Sequence, residues 1–221
     1  MASQENYFAG VGGDAYFRRN LAGQQSEREL PGLSTKITDW ALERESAGSI
    51  CVFGGTSGAE AAFFSSALID WRVVNVDISQ DAIDHGRNIF PYLEHIVTSL
   101  TAPELAKAIG TFDCVLLTGI LCWLDRFLLS RAILNIDEVL KPGGLLAIYD
   151  FFPTSPRVNP ISHADGVFTY KQDYSRIFDE LGIFDPIAFH VEPNGDARYH
   201  LEDQLHGYSI LRKHEPHTAE I

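Results

Sequence analysis

The stretch that decides the fold runs from residue 49 to residue 62 and reads Ser49-Ile-Cys-Val-Phe-Gly54-Gly55-Thr56-Ser57-Gly58-Ala-Glu-Ala-Ala62. It begins as an apolar run of strand length and ends in residues that favour a helix. The glycines between them tolerate positive φ and lack a Cβ, so a ligand can approach the backbone beside the free N–H groups of the helix start. This order predicts a strand, a ligand-binding turn and a helix, although an ordinary strand-to-helix turn has the same pattern.

A second predicted strand, Trp71-Arg-Val-Val-Asn-Val-Asp77, ends in an acid. Such an acid stands about 20 residues after the glycines in doubly wound sheets, where neighbouring parallel strands share one carboxyl-end crevice. The carboxylate can accept two hydrogen bonds from a ribose diol there. Alternatively, Asp77 only precedes the next helix, for which Ser79 is the expected N-cap, and both roles are compatible.

Apolar runs of strand length alternate with helix-length segments, which is typical of a parallel sheet covered by helices on both faces. We predict strands at 48–53, 72–76, 94–98, 112–117, 144–150, 186–192 and 206–212. We predict helices at 15–24, 34–44 with Ser34 as N-cap, 57–67, 79–89, 102–109, 124–139 and 172–181, and an irregular stretch at 153–167. The expected fold is α/β: a Rossmann-like, doubly wound, seven-stranded and mostly parallel sheet with an antiparallel last strand and an N-terminal helical cap.

The composition favours one globular domain of 221 residues, with 45% hydrophobic and 21% charged residues. A formal charge of −13 repels nucleic-acid phosphates, so we predict a small-molecule partner and no nucleic acid. The odd number of cysteines predicts free thiols in a reducing cytoplasm. We find neither a signal peptide nor an apolar stretch of about 18 residues, so we expect no export and no membrane contact.

The spacing of the glycines separates two cofactors that bind at this edge of a doubly wound sheet. A dinucleotide fingerprint needs glycine at the first, third and usually sixth positions, because a pyrophosphate lies on the helix N-terminus. Those positions hold Gly54, Thr56 and Ala59. The pattern therefore favours S-adenosylmethionine (SAM) over NAD, and an NAD-dependent oxidoreductase stays as an alternative.

The series of motifs resembles the class I SAM-dependent methyltransferases over residues 45–212. Residues 52–58 correspond to the family's acid-hydrophobic-Gly-x-Gly-x-Gly motif, Asp77 to its ribose-binding acid, residues 112–115 to the fourth-strand motif and residues 140–144 to the turn before the fifth strand. The resemblance implies SAM as the cofactor. It also implies these cofactor-binding residues: Gly54, Gly55, Thr56, Gly58, Asp77, Ile78, Ser99, Leu100, Thr118 and Gly119.

The chain departs from the family pattern at three places. Val52 replaces the usual acid, Thr56 replaces the middle glycine, and the usual adenine-binding acid is missing where Ser99 and Leu100 stand. The Ser99 hydroxyl and the Leu100 N–H are the expected adenine contacts instead. These departures imply that part of the methionine moiety is held from elsewhere.

Residues 13–20 are similar to a G-D-x-Y-x-x-R-N opening of small bacterial methyltransferases from sugar and surface-glycan pathways. The similarity places Tyr16 and Arg19 in the cofactor site. The Arg19 guanidinium can bind the SAM carboxylate in a bidentate manner and compensate for the altered glycine motif. The alternative is that Arg19 lies on a solvated helix face.

The acceptor site is expected beyond the carboxyl ends of the fourth and fifth strands. Methyl transfer is an in-line displacement, so the protein supplies alignment and, for a hydroxyl acceptor, a base. His163 is the candidate base, because its ordinary pKa lies close to neutral pH, although a loop histidine is more often only solvated. The candidate substrate-binding residues are Trp123, Asp150, Phe151, Tyr170, Lys171 and Tyr174. No histidine or cysteine spacing suggests a metal site.

We therefore predict a SAM-dependent methyltransferase that acts on oxygen, or less favourably nitrogen, of a small metabolite such as a nucleotide sugar or a natural-product intermediate. A non-catalytic SAM-binding regulatory or partner subunit is the alternative from another class. We assign residues 1–45 to a helical cap over the cofactor site, 46–213 to the methyltransferase domain and 214–221 to a disordered tail. The expected assembly is a monomer or a homodimer.

Overall fold

The computed structural model describes residues 4–21, 25–162, 164–193 and 205–215. The helices are α1 (Gln4–Tyr7), α2 (Gly13–Asn20), α3 (Leu33–Leu42), α4 (Ala59–Ala67), α5 (Gln80–Ile89), α6 (Leu105–Ile109), α7 (Leu129–Val139) and α8 (Ser175–Glu180). The strands are β1 (Ser49–Phe53), β2 (Arg72–Asp77), β3 (Glu94–Val97), β4 (Phe112–Thr118), β5 (Leu140–Phe151), β6 (Arg157–Pro160), β7 (Phe168–Lys171), β8 (Phe184–Pro193) and β9 (Leu205–Lys213). A π-helical turn, Phe8–Gly12, joins α1 to α2, and a 3-10 turn spans Leu121–Trp123.

Seven strands form one sheet in the order β3-β2-β1-β4-β5-β9-β8. The first five are parallel to their neighbours, whereas β9 runs antiparallel to both β5 and β8. The predicted fold class is confirmed. Because β1 pairs with β2 on one side and with β4 on the other, the order of the strands reverses beside β1, and a crevice for a ligand opens at the carboxyl ends there.

Both faces of the sheet are buried, which explains why its central strands are almost wholly apolar. All five residues of β1 are buried. Side chains alternate across the sheet, so Phe53 packs with α6 and α7 on one face while Val52 packs with α3 and α4 on the other. The three cysteines are free and buried, as predicted. Each helix in the described ranges is too short or too polar to cross a lipid bilayer.

The N-terminal helices are anchored to the far side of the crevice by Gln4. Its backbone N–H donates to Asp125 (2.7 Å), and its side-chain amide donates to the carbonyls of Trp123 (2.9 Å) and Phe168 (3.1 Å). Asp14 of α2 accepts a hydrogen bond from the Ser79 hydroxyl (2.6 Å) at the start of α5. These contacts hold α1 and α2 over the carboxyl edge of the sheet.

Several predicted boundaries were wrong at the N-terminal end of the chain. Helical structure starts at Gln4 instead of residue 15, because the anchoring of Gln4 outweighs the poor helix propensity of the glycines that follow. Residues 22–24, the end of the predicted helix, lie outside the described residues. Ser34 does not cap α3: the helix begins at Leu33, and the Ser34 hydroxyl accepts the N–H of Leu30 (2.9 Å). The Ser79 N-cap of α5 is confirmed, since its hydroxyl accepts the N–H of Ala82 (3.1 Å).

Other differences lie after the predicted fourth strand. Part of the stretch predicted as irregular forms β6, which pairs with β7 in a separate antiparallel hairpin. α6, α7 and α8 are shorter than predicted, and Gly182 follows α8 with a φ of 70°. In the predicted tail, the His214 N–H donates to the carbonyl of Ile183 (2.9 Å), while residues 216–221 lie outside the described residues.

Candidate active site

A cavity of about 600 Å³ opens at the carboxyl ends of β1, β2 and β4, beneath α1 and α2. Ten of the predicted site residues line it: Tyr16, Gly54, Thr56, Asp77, Ile78, Ser99, Leu100, Thr118, Gly119 and Trp123. The lining also includes residues that the sequence did not point to, among them Glu5, Arg28, Glu29, Glu60, Tyr149, Glu192 and His206. The sites predicted from strands one to four therefore meet in one cavity.

The turn after β1 brings its backbone to the cavity wall. Gly54 has a φ of 74°, and a Cβ at this position would lie 2.0 Å from the Ile120 side chain and 2.9 Å from the Thr118 carbonyl. Thr56 has a φ of 49°, a conformation that strains a β-branched residue, and this is where the family pattern has glycine. The strained backbone presents the Thr56 N–H to Asp77.

Asp77 lies at the end of β2, where both of its carboxylate oxygens accept backbone N–H groups. Oδ2 accepts from Thr56 (2.9 Å) and Oδ1 accepts from Ser79 (2.9 Å). Burial raises the pKa of Asp77 above its ordinary value, although these N–H donors act in the opposite direction. The carboxylate links the turn after β1 to the start of α5 and keeps a partly exposed face toward the cavity.

Two of the predicted glycines, Gly55 and Gly58, do not line the cavity but allow the loop to pack closely against the sheet. A Cβ on Gly55 would lie 2.1 Å from the Asn75 Oδ1, and a Cβ on Gly58 would lie 3.1 Å from the His95 ring. The Asn75 amide donates to the Thr56 carbonyl (2.9 Å). These positions are therefore small because the side chains of β2 and β3 lie behind the loop.

The corner after β3 contains an acid that comes from the N-terminal helix. Glu5 of α1 accepts hydrogen bonds from the hydroxyls of Ser99 and Thr101. Ser99 also accepts the N–H of Thr101 (3.0 Å). The corner after β3, where the family pattern has an acid, thus does contain a carboxylate. It belongs to Glu5, which lies almost a hundred positions earlier in the chain.

The arginine on the cavity wall is Arg28 rather than the predicted Arg19. Arg19 lies on the exposed side of α2, roughly 200° around the helix from the buried Phe17. Arg28 forms an ion pair with Oε1 of Glu60, which is 2% exposed. Oε2 of Glu60 is buried and has no hydrogen-bond partner among the described residues. Burial raises the pKa of Glu60, and the charge of Arg28 acts against this.

The remaining predicted cofactor residues line the middle of the cavity. The Thr118 hydroxyl donates to the Phe53 carbonyl (2.9 Å), and the Gly119 N–H donates to the Tyr149 carbonyl (2.7 Å) with a φ of 61° at Gly119. The Tyr16 ring lies edge-on to Trp123, with 6.3 Å between ring centroids. Both aromatic rings line the cavity.

Comparisons with known proteins point to the same family as the sequence motifs. Residues 52–146 match the family model described as a methyltransferase domain. The match runs from β1 into β5 and supports the resemblance to the class I SAM-dependent methyltransferases. A search of curated proteins found no match to this chain.

Solved structures share the fold of this chain at low sequence identity. The 1,6-didemethyltoxoflavin-N1-methyltransferase of Burkholderia thailandensis, solved with 1,6-didemethyltoxoflavin and S-adenosylhomocysteine (SAH), is 16% identical, with a TM-score of 0.69 over 97% of this chain and 92% of that chain. A SAM-dependent methyltransferase of Methanosarcina mazei is 16% identical, with a TM-score of 0.64 over 85% and 99%. The SAM-bound amino pentose methyltransferase of Micromonospora echinaspora is 12% identical, with a TM-score of 0.58 over 91% and 95%.

Most residues predicted for the acceptor site do not line the cavity. The residues absent from the cavity wall are Asp150, Phe151, Tyr170, Lys171 and Tyr174. Asp150 is 1% exposed, and its Oδ1 accepts the N–H of Phe151 (2.7 Å). Burial raises the pKa of Asp150 to about 6. Because successive residues of a strand point to opposite faces, Tyr149 reaches the cavity and Asp150 does not.

The other residues of this group pack against one another. Lys171 lies over the Phe151 ring, with 3.9 Å from Nζ to the ring centroid. Arg126 lies over the rings of Tyr170 (4.5 Å) and Tyr174 (5.4 Å). Only Trp123 of the predicted substrate residues lines the cavity.

His163, the predicted base, lies outside the described residues. The histidine that lines the cavity is His206, the second residue of β9. No sequence signal distinguished His206 from the other histidines of the chain. Within the described ranges, no group of three or more His, Cys, Asp or Glu side chains is arranged to hold a metal ion, and the absence of a metal site stays a prediction.

Proposed function

We propose that this chain binds SAM in the cavity and transfers its methyl group to an oxygen or nitrogen of a small molecule. One observation carries the proposal: the turn after β1 and the carboxylate of Asp77 face the same cavity and are joined by the hydrogen bond from Thr56. A nucleoside seated at both would have its ribose diol at Asp77 and its adenine beside Ser99 and Glu5.

The charges of the cavity wall suit the amino-acid end of SAM. Arg28 is the one arginine or lysine among the described lining residues, and it can bind a carboxylate. The unpartnered Oε2 of Glu60 is buried and needs a hydrogen-bond donor, which an ammonium group supplies. In the family pattern, an acid and a glycine at positions 52 and 56 contact the methionine moiety, and we propose that Arg28 and Glu60 bind it here. Arg28 therefore has the carboxylate-binding role that the sequence assigned to Arg19.

SAM supplies, when bound, a methyl group on a positively charged sulfur. The protein's part is to hold this group in line with the acceptor atom and to limit the access of water. Tyr16 and Trp123 form the wall toward the acceptor side, and α1 and α2 cover the site from above. We propose residues 1–45 as the cap and residues 46–213 as the catalytic domain.

A small acceptor fits the size of the cavity and its acidic lining. The Burkholderia thailandensis neighbour contains a small heterocycle together with SAH, which supports an acceptor of that size here. We keep oxygen as the favoured acceptor atom and nitrogen as the second choice, as predicted from the sequence. Two of the solved neighbours, the Burkholderia thailandensis enzyme and a glycopeptide N-methyltransferase, are named for methyl transfer to nitrogen. We further propose a cytoplasmic protein that is a monomer or a homodimer.

Calorimetry with SAM, SAH and NADH tests the proposal directly. The expected result is binding of SAM and SAH at one site, no binding of NADH, and release of SAH in the presence of an acceptor. Asp77→Ala should weaken SAH binding by about 1.5–3 kcal/mol, because two hydrogen bonds to a charged group are lost. Asp84→Asn, an exposed acid of α5, is the matched control. NADH binding without SAM binding would refute the proposal.

A further inference from the structure

One end of the cavity lies beyond the part that SAM needs. The proposed contacts to SAM follow the sheet edge from β3 through β2 and β1 to β4, a span of three strand spacings or roughly 14 Å. The cavity continues past β4 to Tyr149 at the end of β5, His206 at the start of β9, and Glu192 and Pro193 at the end of β8. We call these four residues the acceptor lobe.

His206 is placed at the base of the acceptor lobe by the pairing of β9 with β5. It lies opposite Phe151 in the register, and its ring packs edge-on against Tyr149 (4.4 Å between centroids) and Phe151 (5.2 Å). The two aromatic rings fix the plane of the imidazole. None of the described residues forms a hydrogen bond with its ring nitrogens, and His206 lines the cavity.

The protonation state of His206 follows from its surroundings. Burial, together with the charges of Lys171 and Arg28, lowers the pKa of His206 to about 4, while Glu192 acts in the opposite direction. The imidazole is therefore neutral at neutral pH and can accept a proton. The loss of positive charge at sulfur during methyl transfer favours protonation of a nearby imidazole.

The charge of the lining limits what the acceptor lobe can bind. Five acids line the described cavity, namely Glu5, Glu29, Glu60, Asp77 and Glu192, against the single cation Arg28. Arg28 is already paired with Glu60. A phosphate or carboxylate in the lobe would be repelled by Glu192. Arg28 is engaged by Glu60 and by the proposed SAM carboxylate, and Lys171, whose charge acts on His206, does not line the cavity.

We propose that His206 takes the proton of the methyl acceptor, and that this acceptor is a molecule without phosphate or carboxylate that presents a hydroxyl or an aromatic ring N–H to the lobe. The inference rests on the proposed function. The lone pair of the acceptor atom forms the bond to the methyl carbon, and the bond from carbon to sulfur breaks with its electrons left on sulfur. The proton of the acceptor passes to a ring nitrogen of His206 and then to solvent.

The proton that His206 takes must come from an acidic group of the acceptor, and this limits the class of acceptor. A weakly basic imidazole accepts a proton readily only from a strongly acidic group. A hydroxyl or a ring N–H becomes strongly acidic as its bond to the methyl group forms, whereas a methylated aliphatic amine stays a weak acid. Aliphatic amines are therefore excluded as preferred acceptors.

Carbethoxylation of the full-length protein tests the place of His206. Diethyl pyrocarbonate at about pH 6 modifies neutral, accessible imidazoles, and mass spectrometry measures the rate at each histidine. We expect His206 to react at a similar rate with and without saturating SAH, with the exposed His190 as the reactive reference. The reference for slow reaction is His95, which is buried and hydrogen-bonded. Strong protection of His206 by SAH would place it in the cofactor part and overturn the proposal.

Methyl transfer to a matched panel tests the chemistry. The probes are catechol, lumazine, benzylamine and phenyl phosphate with radiolabelled SAM. We expect transfer to catechol or lumazine, and His206→Gln should lower that rate by about 100-fold while SAH affinity is unchanged. His190→Gln on the neighbouring strand should behave like the wild type. A preference for benzylamine or phenyl phosphate, or an unaffected His206→Gln, would overturn the proposal, whereas failure of the wild type to bind SAH would refute the proposed function itself.

Discussion

At the scale of single residues, the two arginines considered for the SAM carboxylate occupy different places in the structure. Arg28 lines the cavity and pairs with Glu60, whereas Arg19 lies on the exposed side of α2. Glu5 occupies the corner that the sequence left without an acid. The proposed cofactor contacts therefore combine residues from the sheet edge with residues from the N-terminal region.

Arg28→Gln should weaken SAH binding by about 1.5 kcal/mol, or roughly tenfold, because a charge-assisted hydrogen bond to the carboxylate is lost at a partly exposed site. Isothermal calorimetry measures the change. The affinity for 5′-methylthioadenosine, which has no carboxylate, should stay the same. Arg19→Gln is the matched control. An equal loss for both ligands, or a comparable loss in Arg19→Gln, would contradict the assignment.

Glu5→Gln should weaken SAH and 5′-methylthioadenosine by the same factor, about 1 kcal/mol, because the proposed contact is to the adenine that both ligands share. Fluorescence or calorimetric titration measures both affinities. Glu43→Gln, an exposed acid after α3, is the control. An effect on SAH alone would place Glu5 at the methionine end instead.

The sequence identified those site residues whose role depends on segments that are close in the chain. Gly54 and Asp77 were predicted because each follows directly on a recognisable strand. Arg28, Glu60 and His206 gave no signal, since their importance depends on contacts between distant segments. Asp150 was misplaced by one position, because the pattern of an apolar strand does not say which of two consecutive residues faces the cavity.

At the scale of elements, the parallel strands were predictable and the later segments were less so. A strand that is buried on both faces is continuously apolar, so β1 and β4 were evident. The β6–β7 hairpin was missed because both strands have only four residues. β6 alternates partly buried and exposed residues within a stretch rich in proline, and β7 has a single buried residue. The boundaries of α6 and α7 moved because turns precede them that apolar spacing does not reveal.

The amino ends of β1 and β4 are joined by Asp113, which offers an element-scale prediction. Asp113 accepts hydrogen bonds from the backbone and hydroxyl of Ser49 (both 2.9 Å), from Arg44 (3.0 Å) and from Lys141 (2.8 Å). Burial alone would raise its pKa, but the hydrogen bonds from Lys141 and Ser49 hold the pKa of Asp113 below its ordinary value. The carboxylate therefore stabilises the fold in its charged form.

Asp113→Asn should lower the free energy of unfolding at neutral pH by about 2 kcal/mol, since buried partners lose a charged acceptor. A group with a lowered pKa contributes its full stability above its unfolded pKa and loses it as the pH falls through its folded pKa. The difference between wild type and variant should thus shrink below about pH 4. Urea denaturation at several pH values measures it, with the exposed Asp70→Asn as control. A difference that is independent of pH would contradict the ionic role.

At the scale of the whole molecule, the N-terminal helices are attached to the sheet edge at both ends of the cavity. Gln4 binds beside Trp123 and β7, and Asp14 binds at the start of α5. The cap therefore bridges the cavity. The chain has a formal net charge of −13, and the cavity lining is acidic as well. This negative charge favours the binding of SAM, which has a positively charged sulfur.

Gln4→Ala should loosen the cap without unfolding the domain, because three side-chain hydrogen bonds to the rim of the cavity are removed while the sheet core is untouched. Hydrogen exchange should speed up over residues 4–20 and stay unchanged over β1, and SAH should bind about tenfold more weakly. Asn88→Ala, at an exposed position of α5, is the control. Faster exchange in β1 would show that the substitution destabilises the whole domain instead.

The most direct test of the central claim is a crystal structure of the complex with SAH. We expect the ribose hydroxyls to lie within hydrogen-bonding distance of the Asp77 carboxylate, the turn after β1 to contact the same ligand, and the adenine to lie beside Ser99 and Glu5. SAH bound elsewhere, or in this cavity with its ribose away from Asp77, would contradict it.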